Sequence, residues 1–421
     1  MDSQKQTIAE FVGTLLLVFS AGLLPLLKLE CLDFAGALAL SYGLLLLTMK
    51  GLEAKSLNPA LTVADVLRGK LEAGAACVLI LAQLAGAAIG GFLLSVFLHD
   101  SDIFPASTEI ATTDQFIITQ LAFSSALVFA YIRGAGASKY DGPWLAALMY
   151  GAFMIGGDAT ACLNPAVALG VSVSRGVSGA ATNETWLALL ILMPLLAAGA
   201  AYLLDKSAQH NLQLSELIGT FFLSFGIIAA ALEGGLSAAV GLAFFSAAVV
   251  RMIAPASGGS LNCAVTGGAL LIEGRGISKD AITIWLSQLA GAVLAAIAAA
   301  QALGSMPSDL FLLAGDWNMV AVSLGISALL MIAYCTKFGD FLGSPAVAFI
   351  GAVYGGSIAA AKNVVSINPS TALGAAIAWF VQTGEVPQPL ETASAVFVPV
   401  IGCMAGAILL RFIPSEYRRR L

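Results

Sequence analysis

Charge is what this sequence has least of. Asp, Glu, Lys and Arg together make up 10% of its residues, and histidine occurs only twice. Soluble domains carry about a quarter of their residues as charges, so a chain this poor in them cannot clothe a water-facing surface. The six cysteines, Cys31, Cys77, Cys162, Cys263, Cys335 and Cys403, share no paired spacing, which excludes a disulfide framework or a cysteine metal site as the organising element. His99 and His210 stand far apart, and there is no Ser/His/Asp set, no phosphate-cradling glycine loop and no carboxylate pair on one helix. The sequence therefore offers no catalytic machinery, and implies no metal and no cofactor. Nor is there a basic surface for nucleic acid: the net charge is −6, with Asp100, Asp102, Glu109 and Asp114 gathered in one loop.

What is abundant is apolar surface: 59% of residues are hydrophobic and the mean hydropathy is +0.93. Twelve apolar runs read as spans, near residues 8–27, 34–50, 73–97, 115–133, 143–157, 185–204, 215–231, 236–252, 280–302, 317–335, 344–360 and 394–412. A bilayer core of about 30 Å takes about 20 residues of helix, so the run 143–157 spans only with help from its flanking loops. The first run begins too near the N-terminus, and is followed by too many others, to read as a cleaved signal peptide.

Lys and Arg collect on cytoplasmic loops. With the N-terminus inside, sixteen of the nineteen basic residues fall inside: Lys5, Lys50, Lys55, Arg68, Lys70, Arg133, Lys139, Lys206, Arg251, Arg275, Lys279, Lys337, Arg411, Arg418, Arg419 and Arg420. Only Lys28, Arg175 and Lys362 fall outside. Both termini are thus expected to be cytoplasmic.

One short pattern occurs four times: Leu57-Asn58-Pro59-Ala60, Leu163-Asn164-Pro165-Ala166, Leu261-Asn262-Cys263-Ala264 and Ile367-Asn368-Pro369-Ser370. Asn58 and Asn164 are 106 residues apart, as are Asn262 and Asn368, and each of the first pair precedes its counterpart by 204. Flanking motifs repeat as well: Ala9-Glu10-Phe11-Val12-Gly13-Thr14 returns as Ser215-Glu216-Leu217-Ile218-Gly219-Thr220, and Gln83-Leu84-Ala85-Gly86-Ala87 as Gln288-Leu289-Ala290-Gly291-Ala292. The offsets predict two homologous units, residues 1–205 and 206–421.

Asn followed by Pro opens a helix, because the Asn side chain caps free backbone N–H groups while Pro has none to leave unsatisfied and has φ already set. About two turns follow each motif before polar residues or glycine intervene, roughly 10–15 Å at 1.5 Å per residue, which is half a membrane. Such a helix is tolerated at bilayer depth only where it is buried in protein or lines a watery cavity. The loop with Asn58 is expected inside and the loop with Asn164 outside. Two half-helices then meet at the midplane, dipole ends and Asn amides facing a path for neutral hydrogen-bonding solutes and repelling cations.

These features resemble the aquaporin, or major intrinsic protein, family, with two copies in one chain. The resemblance runs from Ala9 to Arg411 and rests on the four motifs, Glu10 and Glu216, the Ala82-Gln83-Leu84-Ala85-Gly86-Ala87 stretch, the Ser257-Gly258-Gly259-Ser260 lead-in, and Pro194 and Pro399. It implies an all-α integral membrane protein of two tandem six-span units, with twelve transmembrane helices plus four half-helices. It also implies a channel rather than an enzyme, and a homodimer giving a pseudo-tetramer of four pores in the lipid bilayer. Asn58, Pro59, Ala60, Asn164, Pro165 and Ala166 would line one pore. Asn262, Cys263, Ala264, Asn368, Pro369 and Ser370 would line the other. Glu10 and Glu216 would brace the half-helix loops, with Gln120 and Val322 at the inverted-repeat positions.

Several positions depart from the family pattern. Water-selective members carry Arg after the second motif; here Val167 and Thr371 stand there. The remaining constriction positions read Tyr42, Ala152 and Ala161 in the first unit and Phe244, Gly356 and Val365 in the second. The replacements predict wider, more apolar outer constrictions, passing water, glycerol, urea or ammonia, or else closed by Val167 and Val365. Cys263 and Ser370 make the second pore depart further, so the first is expected to conduct better. Cys162 and Cys263 read either as mercurial-sensitive thiols or as apolar filler. Two other readings of the whole stay open, a non-conducting structural subunit and a coupled transporter, although the spans hold little for the latter beyond Glu10, Glu216 and Arg251.

Overall fold

The computed structural model describes residues 2–24, 34–49, 54, 56–98, 112–134, 141–156, 163–179, 184–304, 306, 317–336, 345–361, 367–414 and 417–418. The chain divides into two compact units, Met1–Phe153 with Gly157–Lys206, and Met154–Gly156 with Ser207–Leu421. The first is built from α1 (Asp2–Leu23), α2 (Phe34–Met49), α3 (Pro59–Leu67), α4 (Ala73–Leu98), α5 (Thr113–Gly134), α6 (Asp141–Gly156), α7 (Pro165–Val177) and α8 (Glu184–Ala208), apart from the last residues of α6 and α8. The second comprises α9 (Leu212–Glu233), α10 (Gly235–Ser257), α11 (Cys263–Glu273), α12 (Lys279–Leu303), α13 (Trp317–Cys335), α14 (Pro345–Ala361), α15 (Pro369–Thr383) and α16 (Pro389–Leu410).

Among the described residues, nine helices are long and apolar enough to cross a membrane: α1, α4, α5, α8, α9, α10, α12, α13 and α16. Three of the twelve runs form shorter helices. α2 and α6 have 16 residues and α14 has 17, about 24–26 Å at 1.5 Å per residue. α1 begins at Asp2, ahead of its apolar run, because the polar residues Gln4 to Thr7 continue the helix, and it ends at Leu23.

The recurrence of Gln-Leu-Ala-Gly-Ala has a packing cause. A Cβ on Gly86 of α4 would lie 2.2 Å from the carbonyl oxygen of Phe11 on α1, and one on Gly291 of α12 would lie 2.2 Å from that of Leu217 on α9. Each glycine lets two helix backbones touch, the mode of association that apolar helices use when no water drives them together. In both units this crossing carries the Glu-bearing first helix against the helix that bears the Gln. It thereby sets the frame for the half-helices α3, α7, α11 and α15.

Candidate functional site

Every half-helix is capped by its own Asn. Asn58 and Asn164 accept from the backbone N–H of Ala60 and Ala166 at 2.9 and 3.0 Å. Asn262 and Asn368 do the same for Ala264 and Ser370 at 2.9 and 3.2 Å. The proline missing at Cys263 does not disturb the cap: Asn262 has φ −156° and ψ 117°, against −152° and 117° at Asn58. All four Asn residues are fully buried.

The amide nitrogens tie the half-helices together in pairs. In the first unit Asn58 Nδ2 donates to the carbonyl of Leu163 at 3.1 Å, and Asn164 Nδ2 to that of Leu57 at 2.7 Å. In the second, Asn262 Nδ2 donates to Ile367 and Asn368 Nδ2 to Leu261, both at 3.0 Å. Two helix N-termini thus abut in each unit, and the partial positive charge at each terminus accumulates where they meet.

The residue before each inner Asn is strained. Leu57 has φ +50° and Leu261 φ +51°, a left-handed conformation that costs a side-chain-bearing residue about 1–2 kcal/mol. Such strain persists where the surroundings over-determine it, and they do so from both sides. The carbonyl is held by the opposing Asn, and the N–H by a buried carboxylate: Leu57 donates to Glu10 Oε2 at 2.8 Å, Leu261 to Glu216 Oε2 at 2.9 Å. Gln83 Nε2 and Gln288 Nε2 each lie 2.8 Å from the same carboxylate oxygen and 3.0 Å from a Ser and a Thr hydroxyl, Ser56 and Thr62 in one unit, Ser260 and Thr266 in the other.

The two carboxylates differ in what they hold. Glu10 also accepts the backbone N–H of Ser56 at 3.1 Å. Glu216 instead takes the hydroxyls of Ser257 and Ser260, which the Ser-Gly-Gly-Ser lead-in supplies by turning through left-handed Gly258 and Gly259.

The inverted-repeat positions carry no such acid. Gln120 is buried on α5, with the Ser124 hydroxyl 3.4 Å from its side-chain oxygen. In the register fixed by Tyr131 and Tyr334, 203 residues apart, its counterpart is buried Ser323, one residue beyond half-buried Val322.

Two of the expected constriction residues face outward. Phe244 is 45% exposed, in the outward stripe of α10 with Leu236 and Val240. Gly356 is exposed on α14 beside Ala352 and Phe349, with nothing within 4 Å of a would-be Cβ. Neither lines an interior path. Tyr42 is buried, and its hydroxyl donates to the carbonyl of Ser56 at 3.0 Å, on the lead-in to α3. Val167, Ala152 and Thr371 are buried; Ala161 and Val365 lie outside the described residues. Thr371 shares a 2.7 Å hydrogen bond with Ser224 on α9. At the matching places of the first unit stand Val167 and Val18, both fully buried. One unit therefore carries hydroxyls at positions where the other carries methyl groups.

A further asymmetry is testable. Tyr131 donates to Asp65 Oδ2 of α3 at 2.7 Å, whereas Tyr334 is buried with its hydroxyl unpartnered among the described residues, the position 204 beyond Asp65 being Ala269. Tyr131→Phe is expected to cost about 1–3 kcal/mol by stranding a buried acceptor, and Tyr334→Phe to be neutral or slightly stabilising. Thermal unfolding of the purified protein in detergent measures both.

Fold and site together define an all-helical, multi-pass integral membrane protein in which capped half-helices meet end to end. Residues 1–173 match the family described as Major intrinsic protein. The chain is 36% identical over 163 residues to Aquaporin TIP1-2 of Musa acuminata, covering 36% of this chain and 60% of that protein. It is 34% identical over 130 residues to Aquaporin TIP3-1 of Zea mays, covering 29% of this chain and 49% of that protein. The chain thus spans between about half and three fifths of the length of these curated relatives.

Proposed function

We propose that this protein is a passive channel for water or small neutral solutes such as glycerol, urea or ammonia, with one path through each unit. The observation that carries the reading is the reciprocal pairing of Asn58 with Leu163 and of Asn164 with Leu57, repeated at Asn262 and Asn368. It brings two positive helix ends and their amide donors to one buried point, an arrangement that binds neutral acceptors and repels cations. In this reading α2, α6 and α14 complete twelve spans, both termini are cytoplasmic, and two chains form a pseudo-tetramer. Val167 and Thr371 stand where a fixed cation would make the paths strict for water, so a small polyol is admitted.

Stopped-flow light scattering of proteoliposomes, first under an impermeant osmotic gradient and then under a glycerol gradient, tests this. Flux above empty liposomes that Asn58→Asp/Asn262→Asp abolishes is the expected result; no flux for either solute from correctly folded protein sinks the water and glycerol reading and leaves a structural subunit or another solute. Asn58→Asp alone is expected to remove more of the flux than Asn262→Asp alone, and equal losses contradict the ranking of the two paths.

A further inference from the structure

A primary amide has two N–H donors. In every motif Asn one of them goes to the facing carbonyl, and the other is left for whatever occupies the point where the half-helices meet. For Asn58 and Asn164 that second donor has no acceptor among the described residues. The second unit differs. Tyr354, on α14, places its hydroxyl 3.4 Å from Asn262 Nδ2. A phenolic oxygen is an acceptor and can take the second N–H of Asn262.

Tyr354 is fully buried, and its helix is held firmly. The Ser357 hydroxyl donates to its carbonyl at 2.6 Å. Gly351 and Gly355 bring α14 so near α10 that a Cβ on either would fall 2.2 or 2.3 Å from the carbonyl oxygens of Ala243 and Ala239. Tyr150, 204 residues earlier, is only half-buried.

We infer that Tyr354 decides conduction through the second unit: its hydroxyl sits where a permeating molecule would accept from Asn262, and the path is closed while it stays there. The inference rests on the channel reading, and deepens it by making the two paths unequal for a stated reason. A water molecule entering the second unit must displace the phenol, whereas in the first it meets free amide donors.

The test uses the full chain in proteoliposomes with Asn58→Asp as the parent, so that flux through the second unit is read above a low background. Tyr354→Ala, which removes both ring and hydroxyl, is expected to raise water permeability over the parent by about fivefold or more, the scale set by one hydrogen bond. Tyr354→Phe, which frees the amide but keeps the ring, is expected to give a smaller rise, and it guards against misfolding of the alanine variant. Adding Asn262→Asp to Tyr354→Ala should return flux to the parent level.

Folded Tyr354 variants with no rise in flux overturn the inference, as does a rise that survives Asn262→Asp. A wild type that conducts while the Tyr354 variants add nothing sinks this inference alone. Silence from the wild type and every variant sinks the channel reading with it.

Discussion

Glu10→Ala is expected to cost the first unit about 2–6 kcal/mol, a large share of the 5–15 kcal/mol by which domains are stable. Without the carboxylate, the backbone N–H groups of Ser56 and Leu57 lose their acceptor in the protein interior, at about 1–3 kcal/mol each. Gln83 keeps the hydroxyls of Ser56 and Thr62, so its loss is partial. The left-handed turn at Leu57 then has nothing holding its N–H side, and the lead-in to α3 should detach from α1. Glu216→Ala is expected to cost less, about 1–3 kcal/mol. It strands one backbone N–H, that of Leu261, while the Ser257 and Ser260 hydroxyls can rotate to other acceptors. Melting temperatures of the two variants in detergent, followed by tryptophan fluorescence, give the ranking; an equal or larger shift for Glu216→Ala refutes it.

Gly86→Val is expected to be at least as damaging. Even the first atom of the new side chain falls 2.2 Å from the Phe11 carbonyl oxygen, a backbone atom that cannot step aside, so α1 and α4 must separate. Overpacking of this kind costs about 1–3 kcal/mol and sometimes more, and here the displaced helix also carries Glu10 away from Leu57. Gly291→Val should repeat the effect at Leu217. Gly199→Ala, on α8 with nothing within 4 Å of its Cβ, serves as the control and should be neutral or stabilising by up to about 1 kcal/mol through helix propensity. The yield of monodisperse protein on size exclusion reads all three, and normal behaviour of Gly86→Val would refute the close crossing.

The legible parts of the site were those written in local chemistry. Asn-Pro announces a capped helix wherever it stands, and the cap holds at Asn262 even with Cys263 next to it, because the side-chain acceptor makes the cap and proline only assists. The position of Glu10 relative to Asn58 was readable from the repeat, since Glu216 and Asn262 keep nearly the same interval. Facing directions were not readable. Phe244 lies two residues before Ser246, and two residues rotate a helix position by more than half a turn. Which face of α10 turns inward is set by where Gly351 and Gly355 dock on Ala243 and Ala239, a long-range contact that no window of α10 reveals. Tyr354 is illegible for the same reason: fourteen residues before Asn368, it has no local signature of reaching Asn262.

The clamp on Leu57 also dictates an order of assembly during synthesis. Glu10 and Gln83 lie within the first hundred residues, so the carboxylate side of the clamp can close as soon as α4 has been made. The other side waits, because the partners of Asn58 and Leu57 lie 105 and 107 residues further along. Until Leu163 and Asn164 have been made, the Asn58 amide and the Leu57 carbonyl lack the partners they have in the finished fold. The second unit has the same dependence, its Leu261 carbonyl and Asn262 amide being answered only by Asn368 and Ile367. A truncation between the two motifs of either unit leaves an unanswered polar pair buried at the half-helix tip, a mark by which quality-control machinery can tell an unfinished unit from a finished one.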